Sequence, residues 1–215
     1  MYTPAINAEH DIPTLHQFMR ANPLCALVTQ CTQGMVASHI PMVLIEDGTP
    51  QGSKLGMLKG HVSRANTQWK DIAAAEALGI FTGPQHYISP NWYPDKATHG
   101  KEVPTWNYVA VHAYGPIRIV QDADWLLDHL KSLTNEHEAA SPIPWRVEDA
   151  PWDFIAKMIH GIVGIELPIA RIEARWKASQ NRPDRDIPGI TEGLDTLATP
   201  ASETMKNLIL SRRPR

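Results

Sequence analysis

The stretch LCALVTQCTQGMVASHIPMVL, residues 24–44, decides the fold class. Leu24 to Gln30 and Val36 to Leu44 are rich in β-branched and apolar residues, and a turn containing Gly34 lies between them. Two such runs joined by a short turn are typical of neighbouring antiparallel strands. The stretch therefore predicts a β-meander.

Helices are predicted on both sides of this meander. A first helix follows its cap at Asp11 and ends before Asn22-Pro23. Asp122 is expected to cap another helix, and two more are predicted around residues 153–159 and 203–210. Because these helices lie towards the two ends of the chain, they are expected to flank the sheet.

Short strands dominate the middle of the chain. They are predicted over residues 54–62, 78–82, 103–120 with a break near Gly115-Pro116, and 162–176 with an interruption at Pro168. Turns or loops are predicted at Glu46-Asp47-Gly48, at Gly83-Pro84, over 95–102, over 135–151 and from Gln180 onward. The pattern favours a small β-barrel decorated by helices.

Composition excludes several classes of protein. The chain has 215 residues, with Lys+Arg 20 against Asp+Glu 23 and a formal net charge of −3, which is no electrostatic footprint for nucleic acid. The first residues show no basic segment followed by an apolar run, and no stretch approaches the roughly 20 apolar residues of a membrane helix. A cytoplasmic protein without a membrane partner is predicted.

Common catalytic signatures are missing from the sequence. It contains no GxGxxG after a strand, no GxxxxGK[ST], no GxSxG and no HExxH. Cys25 and Cys31 lack CxxC spacing and are predicted to be buried thiols. The ten histidines are scattered, so no metal site is predicted, and His39 and His112 are interpreted as structural strand residues.

Two groups of residues have the chemistry to bind a flavin nucleotide. Ser63, Arg64 and Asn66 lie where a strand gives way to a predicted helix over Gln68 to Ala75, and a helix N-terminus favours a phosphate. Aromatic walls and donors for an isoalloxazine ring are available at Trp106, Lys177, Gln180 and Arg182. Each group can equally be structural, as caps, core aromatic residues or a solvated turn, and the residues alone leave both interpretations open.

Five motifs in this order resemble the PaiB-type family, the FMN-binding negative transcriptional regulators. The motifs are GHVSRAN at 60–66, YISPNWY at 87–93, VPTWNY at 103–108, IVGIE at 162–166 and WKASQNR at 176–182. The resemblance implies a split β-barrel related to the pyridoxamine-phosphate-oxidase-like flavoproteins. The fold class expected is thus mainly β with flanking helices (α+β), as one FMN-binding domain over residues 1–215 with helical insertions and a C-terminal helical extension.

The resemblance also implies FMN as cofactor, bound at the interface of a homodimer. Arg64 with Ser63 and Asn66 would hold the phosphate, Trp106 and Asn107 would line the flavin or substrate side, and Lys177, Gln180 and Arg182 would complete the site. The full set of candidate cofactor-binding residues is His61, Ser63, Arg64, Asn66, Trp106, Asn107, Lys177, Ser179, Gln180 and Arg182. No catalytic residue is assigned.

Three functions remain open at this point. The first is a regulatory FMN-binding protein. The second is an FMN-dependent oxidoreductase or flavin reductase in which a hydride donor or small-molecule substrate meets the flavin near Trp106 and Tyr108. The third is a haem-binding or haem-degrading split barrel. Direct DNA binding is disfavoured, because no helix-turn-helix is found and the tail with Arg212, Arg213 and Arg215 is short.

Overall fold

The computed structural model describes residues 1–46, 54–72 and 76–213. The strands are β1 (Leu24–Cys31), β2 (Gly34–Pro41), β3 (Val43–Ile45), β4 (Met57–Ser63), β5 (Glu76–Ile88), β6 (Thr105–Pro116), β7 (Arg118–Val120), β8 (Ile162–Pro168) and β9 (Arg171–Lys177). The helices are α1 (Ile12–Ala21), α2 (Lys96–His99), α3 (Ala123–Glu138), α4 (Trp152–His160), α5 (Ile187–Leu197) and α6 (Pro200–Ser211). Single 3₁₀ turns occur at Ala5–Asn7, Thr67–Lys70, Pro90–Trp92, Val147–Asp149 and Asp184–Asp186.

Two sheets contain all nine of these strands. The five-stranded sheet has the order β2-β1-β5-β6-β9, and the four-stranded sheet has the order β3-β4-β8-β7. β1 and β2 form an antiparallel hairpin in which Cys31 pairs with Gly34, which confirms the predicted strand pair. The β-meander is wrong, because the run from Val36 to Leu44 divides into β2 and β3, which lie in different sheets. Gly34 has φ of +120°, a conformation that glycine adopts without a Cβ penalty.

The chain divides into two compact units, each described by itself below. Unit 1 comprises residues 1–11, 82–111 and 173–215, and unit 2 comprises residues 12–81 and 112–172. The unit boundaries fall inside β5, β6 and β9, so these strands run from one unit into the other. The single domain over residues 1–215 stays a prediction.

In unit 2, helices α3 and α4 bury their apolar faces in one cluster with Leu126, Val147, Ile155 and Ile159 at its centre. Asp122 accepts a hydrogen bond from the Trp125 amide and caps α3, as the sequence predicts. β4 and β8 pair antiparallel along their whole length. Both α3 and α4 contact β8 of this sheet.

In unit 1, α5 and α6 enclose a second core. Its buried residues are Ile88, Tyr93, Ala178, Ile187, Ile190, Leu194, Met205 and Ile209. Trp92 packs against this core over Gly193, where a Cβ would come within 2.4 Å of the indole. Helix α6 confirms the predicted C-terminal helix, whereas α5 lies in a stretch interpreted as irregular. The apolar residues of α5 recur at helical spacing, but a helix this short is stable only when its apolar face packs against such a core.

Other local predictions are also wrong. Residues 68–72 form only a 3₁₀ turn and an isolated bridge, because the buried Gln68 side chain donates to Leu27 O and Thr29 Oγ1 and ties the segment to the β1–β2 hairpin. Gly83-Pro84 does not turn the chain but lies within β5. The single strand expected over residues 162–176 is two strands, β8 and β9, in different sheets.

Some predicted features fall partly outside the described residues. These are the turn at Glu46-Asp47-Gly48, the end of the helix expected over 68–75, and Arg215. Cys25 and Cys31 are buried free thiols as predicted, and burial raises the pKa of Cys25 to about 12. Each helix in the described part of the chain is too short or too polar to cross a bilayer.

Candidate functional site

A groove of about 610 Å³ opens on unit 2 at the C-terminal end of β4. Its size lies within the range of small-molecule sites. The lining residues are Ser38, His39, Ile40, Pro41, His61, Val62, Ser63, Asn66, Met158, Gly161 and Ile162. Three candidates from the GHVSRAN motif, His61, Ser63 and Asn66, therefore lie side by side, and none of the lining residues in the described part of the chain is acidic.

Hydrogen bonds hold the polar wall of this groove in place. Asn66 donates from Nδ2 to Ser38 Oγ at 2.8 Å and accepts from the Gln68 amide through its carbonyl oxygen. Ser63 Oγ accepts from the Ala65 amide. Hydroxyl, imidazole and amide groups are suited to a phosphate or a polyol, while Ile40, Val62, Met158 and Ile162 supply apolar surface. The groove can thus accommodate a ligand with one polar and one apolar end.

Arg64 is the exception among the four candidates of unit 2. Its guanidinium donates to His160 O, Gln121 Oε1 and Ile162 O at 2.7–2.9 Å, and it lies over the Trp69 ring. The Arg64 amide also donates to Gly161 O. Arg64 consequently fastens the α4–β8 connection beside the groove, and it does not line the groove.

His61, which is half-buried, pairs with a buried histidine. Its Nδ1 lies 3.0 Å from Nε2 of His129 on α3, and His129 is 3% exposed. Burial lowers the pKa of His61, and burial together with the nearby His61 and Lys59 lowers the pKa of His129 to about 4. Both imidazoles are therefore neutral at pH 7. His129 is a residue that sequence reasoning missed, since it lies within the helix expected after Asp122 and belongs to none of the five motifs.

The other six candidates belong to unit 1, where two of them form a fully buried hydrogen bond. Asn107 Nδ2 donates to Ser179 Oγ at 2.8 Å, and both side chains are buried. Ser179 has φ of +59°, a strained conformation for a residue with a Cβ. Within the described residues, Oδ1 of Asn107 has no hydrogen-bond partner.

Lys177 and Gln180 bond to their own unit. Lys177 Nζ donates to Thr105 Oγ1 and, at 2.8 Å, to Trp106 O, and burial followed by the charge of Arg175 lowers its pKa. Gln180 donates to Trp176 O and accepts from the Ala178 amide at 2.7 Å. Both side chains hold the ends of β6 and β9 and the turn that follows.

Arg182 is part of an ion network. It pairs with Glu102 at 2.6 Å and with Asp186 at 3.6 Å, and its guanidinium lies 3.8 Å from the centre of the Tyr93 ring. Asp186 is 2% exposed, so the charge of Arg182 compensates a buried carboxylate.

Trp106 differs from the other candidates of unit 1, because it is 50% exposed. Its indole N–H donates to Gln85 Oε1 at 3.2 Å, and its ring meets that of Tyr87 edge to face at 6.1 Å. Within unit 1 the pair offers an accessible aromatic surface.

The sequence motif thus identified part of the groove. It named His61, Ser63 and Asn66 but missed Ser38 and His39 on β2. The sequence favours a structural role for His39 and gives no signal for Ser38. The residues on β2 carry no local signal, since only the pairing of β2 with β1 and the position of the Thr67–Lys70 turn bring them beside the motif.

Comparison with known sequences identifies an FMN-binding family and several related proteins. A family model described as "Putative FMN-binding domain" matches residues 1–171. An uncharacterised protein of Emericella nidulans is 34% identical, over 99% of this chain and 97% of its own length. The protease synthase and sporulation protein PAI 2 of Bacillus subtilis is 29% identical, over 97% of this chain and 96% of its own length.

Solved structures with a similar fold include flavoproteins. A conserved hypothetical protein of Mycobacterium tuberculosis matches with a TM-score of 0.58 at 11% identity, covering 85% of this chain and 94% of its own. The FAD and heme binding protein of Mycobacterium smegmatis matches with a TM-score of 0.57 at 15% identity, covering 85% of this chain and 79% of its own. With the antiparallel sheets and flanking helices, these matches confirm the predicted fold class, an α+β split barrel.

Proposed function

Because the chain belongs to the PaiB-type family of FMN-binding negative transcriptional regulators, we propose that the groove of unit 2 binds FMN. Membership confirms the family predicted from the motifs and supports the flavin cofactor predicted with it. The observation that carries the proposal is the meeting of His61, Ser63 and Asn66 in one groove with Ser38.

The groove's donors fit the polar part of FMN. The Ser38 and Ser63 hydroxyls, the Asn66 amide and the His61 imidazole can hydrogen-bond phosphate or ribityl oxygens without charge repulsion, as no acidic side chain is found among the described lining residues. A bound flavin would supply hydride or single-electron chemistry, and the protein would supply its binding and orientation. Arg64 contributes by fixing Gly161 and Ile162, two residues of the groove lining.

Flavin retention tests the proposal. We expect the purified protein, mixed with FMN and passed through a desalting column, to keep flavin absorbance between 300 and 600 nm at about one FMN per subunit. Ser63→Asp adds a negative charge in the groove and should weaken FMN binding about tenfold. Gln33→Glu adds the same charge in the exposed β1–β2 turn and should leave the affinity unchanged. Equal affinities for the two variants would place the flavin elsewhere.

We further propose that the protein acts as a homodimer. α4 exposes Trp152, Phe154 and Met158, and β2 exposes Met35 and Val36. Exposed apolar side chains of this size support a self-association surface. Sedimentation or light scattering of the FMN-loaded protein should give twice the mass of one chain, and a monomer at micromolar concentration would refute this.

The regulatory action fits an indirect route better than direct DNA binding. Arg212 pairs with Glu9 at 2.6 Å, and Arg213 donates to Asp184 and to the Arg182 carbonyl. These two arginines of the short C-terminal tail are therefore occupied within unit 1. Flavin occupancy or flavin redox state is the proposed signal.

A second candidate is an FMN-dependent oxidoreductase or flavin reductase. The observation that favours it is the exposed Trp106–Tyr87 pair, an aromatic surface for a nicotinamide or another flat substrate. Bleaching of bound FMN by NADH would support turnover, and flavin that stays oxidised with every hydride donor would exclude it. The haem alternative stays a prediction, which a Soret band on haem titration would test.

A further inference from the structure

We propose that His129 is a positioning residue that holds His61 as the neutral tautomer with its proton on Nε2. His61 would then present a fixed N–H donor to an acceptor oxygen of the ligand in the groove. This inference rests on the proposed function for the identity of the ligand, whereas the tautomer itself does not depend on FMN.

The contact between the two rings requires one shared hydrogen. His61 Nδ1 and His129 Nε2 are 3.0 Å apart, so one nitrogen must donate and the other must accept. Burial lowers the pKa of both rings, and the nearby His61 and Lys59 lower the pKa of His129 further, so both rings are neutral at pH 7. Each ring therefore carries one proton, and two arrangements are possible.

The buried Nδ1 of His129 selects between the two arrangements. This atom has no hydrogen-bond partner in the described part of the chain. If His61 donated, His129 would have to bury an N–H with no acceptor, and orphaned N–H groups are among the rarest features of protein interiors. If His129 donates from Nε2, its Nδ1 holds only a lone pair. The second arrangement places the proton of His61 on Nε2.

Packing fixes the orientation of the His129 ring. The Trp125 indole stacks on it with centroids 5.3 Å apart and planes at 22°, and Trp125 Nε1 donates to Glu166 Oε1 at 2.9 Å. Glu166 in turn pairs with Arg118. The IVGIE motif supplies the space, because Gly164 pairs with His61 across the β4–β8 ladder and a Cβ there would come within 2.3 Å of Trp125.

The arrangement indicates what the groove recognises. Nδ1 of His61 points to His129, and the geometry of an imidazole ring directs Nε2 away from that contact. An Nε2–H donor needs an acceptor such as a phosphate, hydroxyl or carbonyl oxygen. In FMN the acceptor is either a phosphate oxygen, which riboflavin lacks, or an oxygen that riboflavin also has. Comparing the affinities for FMN and riboflavin therefore distinguishes the two sources.

The test measures the tautomer and the affinity separately. Two-bond ¹H–¹⁵N spectra of the ligand-free protein, with His61 assigned by His61→Gln, should show a protonated Nε2 and an unprotonated Nδ1. His129→Gln keeps a side-chain N–H donor and should preserve this pattern, whereas His129→Leu should lose it. FMN affinity should fall about tenfold in His129→Leu and less than about threefold in His129→Gln.

The possible outcomes separate the two proposals. A His61 protonated on Nδ1 in the ligand-free protein would overturn the inference, whatever binds in the groove. A correct tautomer with equal FMN affinity in His129→Leu and wild type would overturn the donor role. If the wild-type protein binds neither FMN nor riboflavin while the Nε2–H tautomer is present, the proposed function is refuted. The protein would then be titrated with inorganic phosphate while the ¹⁵N signal of His61 Nε2 is followed. An unchanged signal would overturn the donor role as well.

Discussion

The GHVSRAN segment of unit 2 and the WKASQNR segment of unit 1 carry similar polar side chains but use them differently. In unit 2, His61, Ser63 and Asn66 line an open groove. In unit 1, Lys177, Ser179, Gln180 and Arg182 bond to protein groups. A dense polar motif can therefore bind a ligand or stabilise the fold. It stabilises the fold where nearby protein groups already form hydrogen bonds or ion pairs with its side chains.

The largest expected effect concerns the ion network of unit 1. Arg182→Ala leaves Asp186, which is 2% exposed, without its compensating charge. We expect the free energy of unfolding to fall by about 3–5 kcal/mol, the usual cost of breaking a buried ion pair. Urea denaturation at pH 7 measures this loss.

A matched control lies nearby. Arg185→Ala removes a pair with Asp95 in which Arg185 is exposed, so it should cost less than about 1 kcal/mol. Equal stability of the two variants would contradict the structural role of Arg182. Loss of FMN affinity in still-folded Arg182→Ala would show that this residue serves the ligand too, and would weaken the contrast between the two segments.

The second prediction uses acid to stress unit 2. The pKa of His129 is about 4 in the folded protein and ordinarily 6.5, so between these values the unfolded chain binds a proton that the native state excludes. Stability should therefore be full above about pH 6.5 and fall as the pH drops towards 4, by up to about 3 kcal/mol from this group. His61, with its lowered pKa, adds to the same trend.

Substitution isolates the contribution of the histidine pair. His129→Gln should flatten the decrease in stability between pH 6.5 and 4, whereas His137→Gln, an exposed position on the same helix, should leave it unchanged. Thermal unfolding followed by circular dichroism across this range provides the measurement. An unaltered pH profile in His129→Gln would mean that His129 is protonated without cost in the native state.

A smaller effect is expected at Gly164. Gly164→Ala forces Trp125 off its stack with His129, because a Cβ would approach the indole to 2.3 Å. Overpacking of this kind costs about 1–3 kcal/mol. Gly161→Ala is the control, since its Cβ would lie 3.3 Å from its nearest neighbour, the Met158 carbonyl oxygen. Urea denaturation and tryptophan fluorescence should change in the first variant and stay near wild type in the second.

Much of the fold could be predicted from local sequence. The β1–β2 hairpin follows from alternating apolar runs around Gly34, and the start of α3 follows from Asp122. Each of these features depends on neighbouring residues alone, either through turn conformation or through one cap hydrogen bond. The family resemblance extended this to the fold class and the flavin, because the five motifs are properties of the sequence itself.

Tertiary structure decided what local sequence left open. Gln68 could begin a helix or bond to the hairpin, and its buried contacts with Leu27 and Thr29 decided for a single 3₁₀ turn. His129 looked like any other residue of an amphipathic helix until packing placed its Nε2 beside His61. The sequence by itself determined the β1–β2 hairpin, the Asp122 cap and the motif chemistry, since these depend on short-range interactions. Which polar groups face a groove and which face one another depends on contacts between distant segments, and only the folded chain brings those together.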